Sequence, residues 1–253
     1  MTKVLIERHA RVTVVTINRN ERRNAVDAET AGLLRDAFEA FEADGEALVA
    51  VLTGAGGAFC SGYDLHSVAE APPPYDPDGP GPMGPTRMLL TKPVIAAVEG
   101  HAVAGGLELA LWCDLRVAST AAVFGVFCRR WGVPLIDGGT VRLPRIVGQG
   151  RALDMILTGR PVDAQEAKAI GLVDRIAPEG QALEEAIKLA ETIANFPQLC
   201  MRADRLSAHG QWDCTVVEAL QAEAAGGKAP LYDEGINGAT RFSGGSGRAG
   251  HFD

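Results

Sequence analysis

The chain has 253 residues, enough to bury a sizeable core in one large α/β domain or in a domain with a helical appendage, and at 47% hydrophobic content long disordered stretches are not expected. A net charge of −8, with Lys and Arg scattered instead of gathered in a stripe, disfavours nucleic acid as a partner. The charged start, the lack of any uncharged apolar run near the roughly 18–20 residues of a membrane span, and five cysteines without a C-x-x-C pair predict a reduced cytoplasmic protein with no membrane association, disulfide framework or metal site.

Val4 and Ile6, then Val12, Val14 and Thr16, alternate with polar neighbours and predict two half-buried strands around a turn at His9-Ala10. From Asp27, a natural N-cap, the residues Leu33, Leu34, Ala37, Phe38 and Phe41 recur at helical spacing until Gly45. Residues 47–53 read as a buried strand. A glycine-rich turn over 54–62 and a short helix from Asp64 lead into a proline-rich stretch, 71–85, which reads either as a lid over a pocket or as a surface loop. A second buried strand over 93–98, a turn at 100–106, a helix over 107–113 and a strand over 115–118 follow. The strand-turn-helix order recurs without a sequence period, so the chain is expected to coil through strand–helix turns. Residues 138–147 and 151–157 read as helices, Asp163 and Glu166 have capping-box character, and 172–176 is a short strand. Helices over 183–193, 216–225 and 232–242 complete the chain. The expected division is a core of residues 1–195 and a helical region of residues 196–253.

The chemistry is expected at Gly105-Gly106, where a strand delivers the backbone to the start of a helix. Helix N-termini present unpaired N–H groups, and residues without a Cβ let a substrate oxygen approach them, which is the essential part of an oxyanion hole. Tight strand–helix packing and phosphate binding are the competing readings of the same pair, although neither G-x-G-x-x-G nor a P-loop is present. Glu108, in the first helical turn among apolar neighbours, is expected to have a pKa raised by desolvation and to suit acid–base work. The helix dipole alone also explains an acid there.

Phe59-Cys-Ser-Gly-Tyr-Asp-Leu and the run from Lys92 to Asp114, with Val-Glu-Gly-His-Ala-Val-Ala-Gly-Gly-Leu-Glu at its centre, resemble the two signature segments of the enoyl-CoA hydratase/isomerase (crotonase) superfamily. The likeness extends to Asn18–Ala25, to 167–176 and to a tail over 241–248. It implies an α/β spiral of ββα turns with a helical C-terminal trimerisation region, and a homotrimer or dimer of trimers. It also implies an acyl-CoA thioester substrate and no cofactor beyond the CoA that the substrate carries. The thioester oxygen would be held by the N–H groups of Tyr63 and Gly105. Arg22, Arg23 and Ala25 match the segment that lines the CoA site, and Ser61, Gly62, Asp64, Leu65, Gly106, Cys128 and Pro134 fall at further substrate-binding positions.

Two positions depart from the hydratase pattern. Family hydratases use two glutamates; Glu108 matches the first, and Cys128 stands at the second, where a thiol is a poor substitute for a carboxylate. Asp137 is the candidate second catalytic acid, with an N-cap of the following helix as the alternative. Enoyl-CoA hydration is therefore the leading expectation. Isomerisation or hydrolysis through Asp137, and a non-catalytic acyl-CoA binder, are the alternatives. His66 and His101 flank the two turns as further candidate bases.

Overall fold

Strands β1 (Val4–His9) and β2 (Val12–Ile17) form the expected antiparallel hairpin, with Ala10 at φ 52° reversing the chain. Helix α1 (Ala28–Ala43) follows, capped by the Asp27 carboxylate, which accepts the Thr30 N–H. The computed structural model describes residues 2–70 and 75–247. Residues 71–74 of the proline-rich stretch and residue 248 of the family-like tail lie outside them.

The alternation of the hairpin does not produce two half-buried strands. β1 is a sheet edge with only Val4 buried and Ile6 exposed, whereas β2 lies between β1 and β3 (Val49–Gly54) beneath α1 and is buried almost throughout. Further strands β4 (Val94–Val98), β6 (Leu115–Ser119) and β9 (Arg175–Ala177) complete a six-stranded sheet in the order β1-β2-β3-β4-β6-β9, parallel beyond the first pair. Strands covered on both faces read as unbroken apolar runs, as β3 and β4 do.

A second sheet joins β5 (His101–Val103), β7 (Val123–Gly125) and β8 (Val162–Asp163), and Cys60 adds a parallel bridge to Ala102. The sequence offers no strands at 101–103 or 123–125, because three residues carry too little alternation to register. Each coil of the chain thus contributes a strand to one wall and a shorter extended piece to the other: β3 with Cys60, β4 with β5, β6 with β7. Helix α2 (Leu65–Glu70) follows the first coil and α3 (Gly105–Trp112) the second, giving the ββα spiral. Phe59, Leu107, Leu109 and Phe124 are buried in the core, and Phe38 meets Trp112 edge-on with ring centroids 4.8 Å apart.

Helices α4 (Gly139–Val147), α5 (Gln149–Thr158), α6 (Ala164–Ala169) and α7 (Ala182–Ala194) follow. Asp163 caps α6 through the Glu166 N–H, but the Glu166 carboxylate pairs with Arg160, so the expected capping box is only half made. The strand expected from 172 starts only at Arg175. The chain divides into compact units of residues 1–193 and 194–253. The second contains α8 (Gln198–Gly210), absent from the sequence reading because Arg202, Asp204 and Arg205 interrupt its apolar period, and then α9 (Val216–Pro230) and α10 (Ile236–Ser243).

Helix α3 approaches the second wall closely where Gly106 packs on Cys60: a Cβ on Gly106 would overlap the Cys60 carbonyl oxygen, which is backbone and has little freedom to move. Gly106→Ala should therefore lower stability by about 1–3 kcal/mol, seen as an earlier urea midpoint with an unchanged slope.

Candidate active site

Both glycine turns leave the carboxyl ends of parallel strands, and β5 brings them together. The Cys60 N–H donates to the His101 carbonyl (2.9 Å) and the Val103 N–H to the Cys60 carbonyl (3.1 Å). A Cβ on Gly62, which sits at φ 102°, would stand 3.0 Å from the Gly105 nitrogen. Around Tyr63, the Val26 N–H donates to the Gly62 carbonyl (2.9 Å) and the Asp64 N–H to the Val26 carbonyl (2.8 Å). Those bonds occupy the amides on one side and leave the Tyr63 N–H for the other. The turn is held from behind by the buried Asp64 carboxylate, which pairs with Arg19 at 3.0 Å.

Ala104 makes the second turn sharp. Its φ of 54° with ψ of −125° is a conformation that a side chain disfavours, at a cost on the order of 1–3 kcal/mol, and it converts the end of β5 directly into α3. Among the described residues neither the Tyr63 nor the Gly105 N–H has an acceptor, and both residues line a cavity of about 870 Å³. Two neighbouring free donors at such a cavity suit an oxygen that gains negative charge.

Glu108, 2% exposed, reaches the same cavity from the first turn of α3. Its Oε1 accepts the N–H groups of Asp137 (2.9 Å) and Gly139 (2.8 Å), and its Oε2 has no partner among the described residues. Burial pushes its pKa up to about 7, the Asp137 charge adds to the rise, and the two amide donors oppose it. Asp137 is 3% exposed, and burial raises its pKa as well. It does not cap α4: the N-cap is Gly138 at φ 95° without a side-chain bond, and Glu108 takes the Gly139 N–H in its place. Asp137 Oδ1 instead accepts the Met83 N–H and the Thr86 hydroxyl. The Cys128 thiol, buried in a 3-10 turn, is pushed up by burial and by Glu108, so it stays protonated and neutral.

The model of the enoyl-CoA hydratase/isomerase family matches residues 7–239. The chain belongs to this family. An enoyl-CoA hydratase of Mycobacterium tuberculosis, EchA19, is 40% identical over 206 residues, which cover 79% of this chain and 77% of the relative. The (E)-benzylidenesuccinyl-CoA hydratase of Thauera aromatica is 39% identical over 213 residues and 81% of each chain. The crystal structure of the enoyl-CoA hydratase EchA1 from Mycobacterium marinum superposes with a TM-score of 0.90 at 35% identity over 96% of both chains. This is an acyl-CoA enzyme of crotonase type.

Of the residues expected at the crotonase site, Arg23, Ser61, Tyr63, Leu65, Gly105, Glu108, Cys128, Pro134 and Asp137 line the cavity. Arg22, Ala25, Gly62, Asp64 and Gly106 do not. Arg22 is exposed, and Ala25 is buried with its carbonyl on Arg19. Gly62 and Gly106 lie behind the two turns, and Asp64 faces Arg19. Of the two histidines, His101 lines the cavity and His66 does not. The sequence reading passed over Met83, Trp131 and Arg130, and over a face of α1 made by Ala28, Ala31, Gly32 and Arg35. The i, i+3, i+4, i+7 spacing of that face was a usable signal; nothing local marks Met83.

Because folding raises the Glu108 pKa, its contribution to stability is fully present below the unfolded value near 4.5 and is lost as pH rises through about 7. Glu108→Gln keeps an acceptor for both amides and abolishes this loss. Relative to the native chain, the variant should gain on the order of 1–3 kcal/mol between about pH 4 and about pH 8, measured by urea unfolding at both values.

Proposed function

We propose that the chain hydrates the double bond of an enoyl-CoA thioester, with Glu108 as its only proton-moving carboxyl. The observation that carries this reading is the Glu108 Oε2, unpartnered among the described residues, on a cavity it shares with two free N–H donors. The thioester oxygen accepts the Tyr63 and Gly105 N–H groups. Glu108, as carboxylate, takes a proton from a water whose oxygen bonds to Cβ, while the double-bond electrons move onto the thioester as an enolate. Glu108 then returns the proton to Cα, giving a 3-hydroxyacyl-CoA. A single carboxyl serving both carbons delivers hydroxyl and hydrogen to one face of the double bond. Cys128 takes no proton in this scheme, and no cofactor is called for. Arg23 and Arg130, on the cavity lining, supply positive charge for the CoA phosphates.

Asp137 lines the same cavity, which favours a second reading: isomerisation or thioester hydrolysis through that acid. With crotonyl-CoA as substrate, hydration predicts that Glu108→Gln loses about 10²–10⁴ in kcat while Asp137→Asn loses far less, and the second reading predicts the reverse order. The native kcat/KM should fall as pH drops below about 7, where Glu108 becomes protonated.

The unit of residues 194–253 exposes Val216, Val217, Leu220, Tyr232, Ile236 and Phe242 on its helices, with Val216 at 76% exposure. Such an apolar surface supports assembly into a homotrimer or a dimer of trimers. Light scattering should give three or six times the 26.6-kDa chain mass, and a monomer mass would refute it. The five free thiols, three of them buried, favour a reducing compartment, and we place the enzyme in the cytoplasm. Among the described residues, no helix is long and apolar enough to cross a membrane.

A further inference from the structure

The turn from Gly81 to Arg87 lies over the cavity lining, and a carboxylate fastens it. Asp137 Oδ1 accepts the Met83 N–H at 3.0 Å and the Thr86 hydroxyl. Arg142 donates one Nη to the Asp137 carbonyl (3.0 Å) and the other to the Thr86 carbonyl (2.7 Å). Arg87 reaches the Ile136 carbonyl (3.3 Å) and gathers the carbonyls of Asp76, Pro77 and Gly79. Gly81 fits only because it has no Cβ, which would fall 2.5 Å from Asp137 Oδ1. The fastened turn sets Met83 against the site: its Sδ is 2.6 Å from where a Gly105 Cβ would be. On its other side, the Asp137 N–H donates to Glu108 Oε1. One residue thus touches the wall of the acyl cavity and the proton-moving carboxyl.

We propose that Asp137 is a positioning residue whose carboxylate latches the Gly81–Arg87 turn, and with it Met83, against Gly105, so that it shapes the acyl cavity and takes no proton from the substrate. Oδ1 is shared by two donors, which commits the carboxylate to holding the wall; Oδ2 has no partner among the described residues, and the kinetic arm below decides whether it moves a proton. The groups facing Glu108 are Asp137 and Arg142, with Cys128 nearby; those facing Asp137 are Thr86, Met83, Arg87, Arg142, Glu108 and the Tyr63 phenol. An amide in place of Asp137 keeps an acceptor for both donors and removes only the charge. A methyl group keeps neither.

The kinetic arm of the test rests on the hydratase reading, and the exchange arm does not. Asp137→Asn, Asp137→Ala and Thr86→Val are compared with the native full-length chain by amide hydrogen exchange of the 81–87 peptide and by turnover of crotonyl-CoA across pH. Asp137→Asn should keep the peptide protected, lower kcat/KM by less than about tenfold, and move the acid limb of the pH profile to lower pH, because the repulsion on Glu108 is gone. Asp137→Ala should speed exchange of the peptide by about tenfold or more and raise KM by about tenfold, with a smaller change in kcat. Thr86→Val should speed exchange by a lesser factor, and it decides the exchange arm if Asp137→Ala does not fold. A loss of about 10² or more in kcat for Asp137→Asn, with KM and protection unchanged, makes Asp137 a proton-transfer group and overturns the proposal. Unchanged exchange in both Asp137→Ala and Thr86→Val overturns it as well. If the native chain leaves crotonyl-CoA untouched, the hydratase reading fails, and the exchange arm still decides the latch.

Discussion

The carboxylate of Glu108 ties together the parts on which the site depends. Through Oε1 it holds the Asp137 and Gly139 amides, and so joins the first turn of α3 to the start of α4. The same bonds fill one oxygen of a group that burial would otherwise leave costly, and they orient the other. The tension between desolvation, which favours the acid, and two N–H donors, which favour the carboxylate, places its pKa near neutrality. A carboxyl poised in that way can give and take a proton in one reaction cycle, which a fully solvated glutamate does less well at neutral pH.

The spiral supplies the rest of the arrangement. Stacking β3, β4 and β6 in one wall puts their outgoing turns at one edge, and the short second wall of Cys60, β5 and β7 registers those turns against each other. Small residues at the crossing points let the backbones approach: Gly62 lies against Gly105, and Gly106 against Cys60. The strain at Ala104 is sustained because its N–H and carbonyl are both committed, to Gly125 on one side and to Leu107 and Glu108 on the other. The folded backbone itself thus presents two N–H groups that have no acceptor among the described residues, as preorganisation requires.

Much of the architecture was legible because long elements carry strong periodic signals. The apolar spacing of α1 and the unbroken runs of β3 and β4 each point to a single structure. The three-residue strands of the second wall were not legible, since their pairing partners lie more than 20 residues away and their pattern is too short. The same limit applies to burial. Alternation predicted two equivalent strands at the start of the chain, yet β1 is an edge and β2 an interior strand, a difference set by what packs on them.

For the site, the sequence by itself determined the chemistry available: two glycine turns, an acid one turn into an apolar helix, and a thiol where family hydratases carry a second glutamate. Motif and spacing suffice for the glycine turns and the acid because each is marked by its own neighbours in sequence, and the family resemblance supplies the meaning of the thiol. Only the tertiary structure decided what each group faces. It turned Asp64 toward Arg19, left Arg22 outside the cavity lining, denied Asp137 the role of helix cap, and engaged its carboxylate with Met83 and Thr86 from 54 and 51 residues away. A side chain's partners across such separations depend on how the coils of the chain stack, and no local pattern encodes that.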